Sequence, residues 1–431
     1  MLRTAVDLKE AIEKAPTVLQ SMGTCPLVAY DWKEDNGFLD EDNDQTNRTK
    51  LISEKIGDIV STLEDKYFTE TKITDGEITI DFNGISYSGN LKDITQEKLK
   101  ELFDAAPQAP FGDQKNLKTV VNTEVRNAKD ITSEYFKVSQ TVIDQITNSW
   151  SRGGMYPSSV IVEPYKINLY GQGGHFELHQ DTPSKDMVGT ALIALSNGYG
   201  GYLELIKDEN HTNTWYQCPG DCISFFTDVP HRATEVYQNG IRATIAFKIY
   251  YKDNYSGITK FDSRFDGLTD VEKIKHLEIE LGLGKNLAEK IIEFKKVAGD
   301  QKFGFLFGHS YSVHASSLKG SDAALVGVLT MLGYKFTILP VIHKVYIHSF
   351  HDGQDDILES NVYPLTDAHI DYILNRGTKP NEDFSDINFY SVKWTDYAWK
   401  NEHQDFVEFC GNESRPEEEN SIYLSRAIIF H

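Results

Sequence analysis

Cysteine is scarce in this chain. Four of the 431 residues are Cys, at positions 25, 218, 222 and 410, too few and too scattered for a disulfide-stapled secreted fold. Cys218 and Cys222 lie in "QCPGDC". That spacing matches no zinc ribbon and has no second pair to complete one, so both read as small structural residues. Long apolar runs are also missing: no segment reaches the roughly 18 residues needed to span a bilayer. The opening "MLRTAVDLKEAIEKAPTVLQ" lacks the apolar centre of a secretory signal, and Asp7, Glu10 and Glu13 argue against a mitochondrial presequence. These absences point to a soluble protein of the cytoplasm, or of the nucleus, with reduced thiols. Positive charge is in deficit, with 43 Lys and Arg against 65 Asp and Glu and a net charge of −22. Such a surface repels phosphate backbones and anionic lipid, which argues against nucleic acid or membrane as partners but leaves room for one local basic pocket.

What is present is an ordinary globular composition, 40% hydrophobic and 12% aromatic, on a chain long enough for two or three cores. The expected fold class is α+β, in three regions. Residues 1–157 form a mixed, largely helical N-terminal flank. Helices are expected near 6–20, 48–66, 94–105 and 130–150, with an acidic loop after the first. "GEITIDFNGISYSG" reads as a hairpin turning at Asn83-Gly84. Residues 158–254 change to a run of some eight short strands separated by Gly, Pro and Asn turns, the pattern of a sandwich, jelly roll or barrel. Residues 255–431 return to α+β. Helices are expected at 270–282, 285–298, 320–333 and 366–375, a strand pair in "KFTILPVIHKVYIHSF", and a closing strand in "SIYLSRAIIFH".

The chemistry concentrates in the strand-rich region. "GGHFELHQDTP" holds two histidine–acid pairs, His175 with Glu177 and His179 with Asp181. His231 follows in "DVPHRATEV", then Arg242 and Thr244 in "GIRATIAFK". Two imidazoles and one carboxylate leave about half of an octahedron open, the facial triad of non-heme Fe(II) oxygen chemistry. A dicarboxylate 2-oxo acid could chelate such an iron, and its far carboxylate then needs a fixed cation. Arg242 suits that role, because a guanidinium stays charged when buried and pairs with carboxylate bidentately. Thr244 lies two residues on, facing the same side of a strand. Positions 175, 177, 179 and 181 share parity, but 175 and 179 stand about 13 Å apart in a strand, so both pairs cannot serve one ion. Parity alone does not choose between them. His343, His348, His351 and Asp352 match no standard metal spacing, and the acidic "EDNGFLDEDND" lacks the order of a calcium loop.

The stretch "INLYGQGGHFELHQDTP … GGYLELI … CPGDCISFFTDVPHRATEVYQNGIRATIAFKIYY" resembles the 2-oxoglutarate/Fe(II)-dependent dioxygenase superfamily, in its prolyl-4-hydroxylase-like branch. The resemblance rests on Tyr170, Gly173, Gly174, His179, Asp181, Gly200, Gly201, His231 and Arg242, over residues 165–251. It implies a double-stranded β-helix (jelly-roll) catalytic core, with Fe(II) on His179, Asp181 and His231. It also implies 2-oxoglutarate anchored by Arg242 and assisted by Thr244 and Tyr170, O2 as co-substrate, ascorbate as an accessory reductant, and succinate and CO2 as products. His179 rather than His175 is then the ligand, and His175 and Glu177 line the substrate mouth. Related halogenases carry a small residue where Asp181 stands, so a carboxylate there favours hydroxylation. The branch makes a prolyl or other side chain of a protein or peptide the leading substrate. A free amino acid or small metabolite is the second reading, and a catalytically silent binding module the third. The flanking "AAPQAPFGDQKNLKTVVNTEVRNA" and "FGFLFGHSYS" resemble a family of long eukaryotic oxygenases. Residues 182–187, "TPSKDM", suit a lid.

Overall fold

The computed structural model describes residues 25–27, 43–63, 66–113, 118–181, 187–208, 211–252, 269, 272, 284–299, 303–309, 318–348, 357–364, 388–391 and 424–430. The helices expected near 6–20, 270–282 and 366–375 lie wholly or almost wholly outside these residues, as does nearly all of the "TPSKDM" segment.

In chain order the flank gives β1 (Cys25–Leu27), α1 (Asn43–Thr62), β2 (Phe68–Lys72), β3 (Glu77–Phe82), β4 (Ile85–Asn90), α2 (Gln96–Ala105), β5 (Phe111–Asp113), β6 (Lys118–Val120), β7 (Arg126–Asn127), β8 (Lys129–Thr132), β9 (Phe136–Val138) and α3 (Gln140–Arg152). The strand-rich region gives β10 (Val160–Tyr170), β11 (His175–His179), β12 (Met187–Ala194), β13 (Leu203–Asp208), β14 (His211–Trp215), β15 (Asp221–Phe226), β16 (His231–Ala233) and β17 (Arg242–Tyr251). Beyond it lie α4 (Gly284–Ala298), β18 (Phe303–Leu306), α5 (Gly320–Leu332), β19 (Phe336–His348), β20 (Ile357–Pro364), β21 (Asn388–Ser391) and β22 (Leu424–Phe430).

The eight strands expected between 158 and 252 are all present. They divide between two sheets, one in the order β2-β15-β12-β17-β10-β8 and one in the order β14-β13-β16-β11-β7. Every described pairing in both is antiparallel. Strands β2, β7 and β8 precede residue 157, so the N-terminal segment builds both sheets. Apolar residues from both sheets, including Ile193, Leu203, Leu205, Ile223 and Phe225, join one core with the hairpin's Ile78 and Ile80 and α3's Val142, Ile146 and Trp150. The Trp150 indole lies so close to β12 that a Cβ on Gly189 would meet it at 2.5 Å. Glycine there lets helix and sheet approach.

The hairpin turns where expected. Asn83 and Gly84 have φ of 49° and 81°, the left-handed pair that a two-residue turn of this kind requires. The helix expected over 130–150 starts only at Gln140, with Ser139 as its cap residue. The ten residues before it hold β8 and β9 instead. Ile131 and Phe136 are buried there, and β8 pairs with β10 and β9 with β3. Pairing to existing strands overrides the local helical spacing.

A second core joins α1 (Ile52, Ile56, Ile59) to α4 (Leu287, Ile291, Phe294), α5 and β18. Helix α5 is buried along its whole length, as an all-round apolar helix must be. A sheet in the order β1-β20-β19-β22-β18-β21 completes this part. The strand pair expected in "KFTILPVIHKVYIHSF" is one thirteen-residue strand, β19. Pro340 does not break it, because pairing with β20 begins only at Val341, so proline costs no ladder bond on that side.

Candidate metal and co-substrate site

His179 closes β11 and His231 opens β16, and the two are directly opposed in the ladder. Asp181 follows two residues beyond β11. One potential ligand atom from each of the three lies within 4.8 Å of the other two. Both histidines are buried, at 6% and 5% exposure. The His179 Nδ1 lies 2.7 Å from the Glu177 carbonyl and the His231 Nδ1 lies 2.9 Å from the Val229 carbonyl. A carbonyl only accepts, so Nδ1 carries the proton in each ring and Nε2 keeps its lone pair for a metal. Burial first, and then neighbouring His231, hold the His179 imidazole well below its ordinary pKa, so it stays neutral as ligation requires. Thr190 Oγ1 donates to Asp181 Oδ2 at 2.5 Å and fixes the carboxylate.

A bulge explains why two pairs of equal parity are not equivalent. Along β11 and β16, Phe176 pairs with Ala233 and His179 with His231, three steps against two. The extra residue reverses the parity of the strand before the ligand. Phe176 therefore turns inward and stacks on the His179 ring at 3.6 Å. His175 turns away, with Nδ1 3.0 Å from the Gly173 carbonyl and Nε2 3.1 Å from the Glu124 carbonyl. Burial alone would lower its pKa, but these two carbonyls, with smaller help from Glu177 and Glu235, raise it. A ring that faces acceptors on both nitrogens offers no lone pair to a metal. Glu177 is exposed. Neither residue lines the cavity described below, which corrects the expectation that they border the substrate mouth.

Arg242 opens β17 opposite Tyr170, the last residue of β10. It is 1% exposed, and its guanidinium stands 5.2 Å from the centre of the Tyr170 ring. Its Nε donates to Gln217 Oε1 at 2.8 Å, while Nη1 is buried without a partner. Gln217 is itself held by donation to the carbonyls of Ser196 and Ala243. Sequence reasoning had no signal for it, since a glutamine ahead of a turn looks like any loop residue. Thr244 is 2% exposed, beside Asn168 on one side and Ala194 on the other. Arg242, Thr244, Tyr170 and the three potential ligands all line one cavity of about 430 Å³.

The flank adds polar groups to the same cavity. Arg126 is 4% exposed. Its Nη1 donates to the Pro110 carbonyl at 2.7 Å and its Nη2 to Asn168 Oδ1 at 3.1 Å, and its guanidinium lies 4.6 Å over the Phe176 ring. Lys166 pairs with Asp130 at 3.3 Å. Burial, then Arg126, push the Lys166 ammonium down to a pKa of about 8 against the opposing pull of Asp130. A bulge at Pro164–Lys166 inserts Tyr165 as an unpaired residue, and its ring meets the ammoniums of both Lys166 and Lys248.

One loop touches two of the three potential ligands, Asp181 and His231, and the Gln180 between Asp181 and His179. The Thr227 carbonyl accepts from the Asp181 backbone N–H, the Asp228 carbonyl accepts from Gln180 Nε2, and the Val229 carbonyl faces His231 Nδ1. The Asp228 side chain turns the other way, to the C-terminal region. It lies 2.8 Å from Lys319 Nζ and 2.9 Å from His309 Nδ1, and Lys319 Nζ also donates to Thr227 Oγ1. Burial alone would raise the Asp228 pKa, but Lys319 and His309 together hold it well below the carboxylate range.

Elsewhere the residues singled out in the sequence take structural places. Arg232 pairs with Glu204 at the surface. Cys222 is buried in β15 with its thiol pushed up to about 12 by burial, Cys218 is exposed, and both are free. No other cluster of metal-ligating side chains occurs among the described residues, although His351 and Asp352 and the side chains of His343 and His348 lie outside them. No described helix is long and apolar enough to cross a membrane.

Residues 165–250 match the sequence model of the 2OG-Fe(II) oxygenase superfamily. That segment is a 2OG-Fe(II) oxygenase domain, of a class of oxidoreductases that uses Fe(II) and 2-oxoglutarate. No curated protein sequence matches the chain. Solved structures similar to it include a prolyl hydroxylase from Trichoplax adhaerens in complex with a hypoxia inducible factor oxygen degradation domain peptide fragment. It is 14% identical, with 49% of this chain and 94% of that one covered and a TM-score of 0.29. A prolyl-4-hydroxylase from Pseudomonas putida is 12% identical over 46% of this chain and 99% of its own, with a TM-score of 0.29. The viral collagen prolyl hydroxylase of Paramecium Bursaria Chlorella virus-1 is 14% identical over 43% and 97%, with a TM-score of 0.27.

Proposed function

We propose that the chain hydroxylates an unactivated C–H bond, with His179, Asp181 and His231 holding Fe(II) and Arg242 anchoring 2-oxoglutarate in the core of a double-stranded β-helix. The observation that carries this reading is the pairing of a buried His-Asp-His cluster with a buried guanidinium whose Nη1 has no partner, in one cavity. The donor set fits the metal, since two lone pairs and one carboxylate converge and leave positions open. The orphaned guanidinium fits a carboxylate, since an uncompensated buried charge is costly. When bound, the iron and its co-substrate couple oxidative decarboxylation of 2-oxoglutarate by O2 to hydroxylation of the substrate, giving succinate and CO2. The chain's own part is orientation. Carbonyls of Glu177 and Val229 set both imidazole tautomers, Thr190 turns the Asp181 carboxylate, and Gln217 aims Arg242. Thr244 and Tyr170 flank the anchored carboxylate.

Two substrate classes were open in the sequence, a peptide side chain and a small metabolite. The buried Arg126 and half-buried Lys166 within the cavity favour the second, since a neutral prolyl ring gives them nothing to bind. The test is stoichiometric. The purified chain with Fe(II), 2-oxoglutarate and O2 is expected to release succinate slowly alone and at least tenfold faster with its substrate among candidate metabolites. Succinate release that is independent of Fe(II) would contradict the reading.

A further inference from the structure

Arg126 is a buried cation and Lys166 a half-buried one, and the anchoring of 2-oxoglutarate uses neither. Arg126 is 4% exposed, its Nε is buried with no partner, and among the described residues no acidic side chain pairs with it. Its two other nitrogens are held by a carbonyl and an amide oxygen, neither of which neutralises a guanidinium. Lys166 has one acidic partner, Asp130. Asp181 also lines the cavity, but in this reading its charge goes to the metal. The cavity thus keeps an excess of positive charge, in a chain whose net charge is −22.

The cations are separated along the sheet. Arg242 pairs with Tyr170 at one end of β10, whereas Lys166 pairs with Ala246, four residues earlier and about 13 Å away at strand rise. Arg126 reaches the same strand between them through Asn168. A 2-oxo dicarboxylate has two acidic ends, one committed to Arg242 and one to the metal. It cannot compensate Arg126 and Lys166, so a second anion is needed.

Resting on the Fe(II)/2-oxoglutarate reading, we infer that Arg126 and Lys166 form a carboxylate-binding subsite for the substrate, and that the molecule hydroxylated is a small carboxylic acid. The free Arg126 Nε–H and the Lys166 ammonium bind the carboxylate and leave a carbon of the same molecule facing the metal. The reaction is then the insertion of one oxygen atom into a C–H bond of that acid, the other oxygen going to succinate.

The experiment uses the full chain loaded with Mn(II) and saturating 2-oxoglutarate, with acetate as probe and acetamide as its neutral counterpart. Paramagnetic relaxation of the methyl protons reports binding near the metal. Acetate is expected to saturate, with acetamide about tenfold weaker or worse. Arg126→Gln and, separately, Lys166→Met should each weaken acetate about tenfold, with acetamide and 2-oxoglutarate affinities unchanged. Unchanged acetate binding in both variants, each shown folded by its melting curve, would overturn the inference. So would a matching fall in 2-oxoglutarate affinity, which would assign these cations to the co-substrate. Failure of the wild type to bind 2-oxoglutarate at all would instead defeat the underlying reading, and it is measured first. N-acetylglycine should displace acetate, whereas the capped peptide acetyl-Gly-Glu-Gly-amide should not. Displacement by the capped peptide would overturn the small-molecule assignment.

Discussion

Replacing Arg242 with Leu is expected to weaken 2-oxoglutarate binding by a hundredfold or more while leaving the fold and metal binding intact. The loss follows from a charge-assisted contact with a carboxylate in a dry site, about 3 kcal/mol or more, where each 1.4 kcal/mol is about tenfold. The intact fold follows from what the guanidinium does when no ligand is bound. It is buried in the core, and that burial lowers its pKa. Its Nη1 has no partner. Leucine removes that uncompensated charge, which is favourable, and strips Gln217 Oε1 of its donor, which is not. The two effects oppose, so the melting temperature should move little. Arg242→Lys keeps the charge but loses the fork, and should recover part of the affinity. Isothermal titration with 2-oxoglutarate on the Mn(II) protein, beside a melting curve, separates the two quantities. Equal affinity in Arg242→Leu would remove Arg242 from the site.

The second large effect lies outside the catalytic segment. Lys319→Met is expected to destabilise the protein by about 3 kcal/mol, because it removes the buried ammonium that pairs with the buried Asp228 carboxylate. It should also lower metal affinity about tenfold at temperatures where the protein is folded. The backbone of residues 227–229 contacts two of the three potential ligands, Asp181 and His231, and partners of this kind are commonly worth tenfold or more in metal affinity. The Asp228 pKa is lowered in the fold. Its contribution is therefore complete above the ordinary carboxylate value of about 3.9 and is lost as the pH falls below it. Wild type and Lys319→Met should accordingly differ at pH 7 and converge in acid. Metal titration of the folded variant, followed by Co(II) absorption, distinguishes a positioning role from mere loss of stability. Unchanged metal affinity would confine Lys319 to stability.

Local patterns carried the strand-rich region. In the N-terminal flank Asn83-Gly84 marked a hairpin, and in the strand-rich region alternation in "RATIAFKIYY" placed Arg242 and Thr244 on one face. The potential ligand triplet was legible because two of its members are two residues apart and the third opens a short strand. What escaped was set by partners distant in the chain. The choice of His179 over His175 depends on a bulge that appears only when β11 pairs with β16. Arg126 enters the cavity from a two-residue strand that pairs with β11 and carries no periodicity of its own. The contact of Asp228 with Lys319 spans 91 residues. Helical spacing in α3 extends the expected helix back over residues 130–139, where strand pairing decides otherwise.

The most direct measurement adds 2-oxoglutarate to the Fe(II) protein without oxygen and looks for the weak visible charge-transfer band of a chelated 2-oxo acid. The band should appear in the wild type, persist in His175→Ala, whose ring faces carbonyls on both sides, and vanish in His179→Ala. Absence of the band in wild-type protein of confirmed iron content, or its loss in His175→Ala with survival in His179→Ala, would contradict the site.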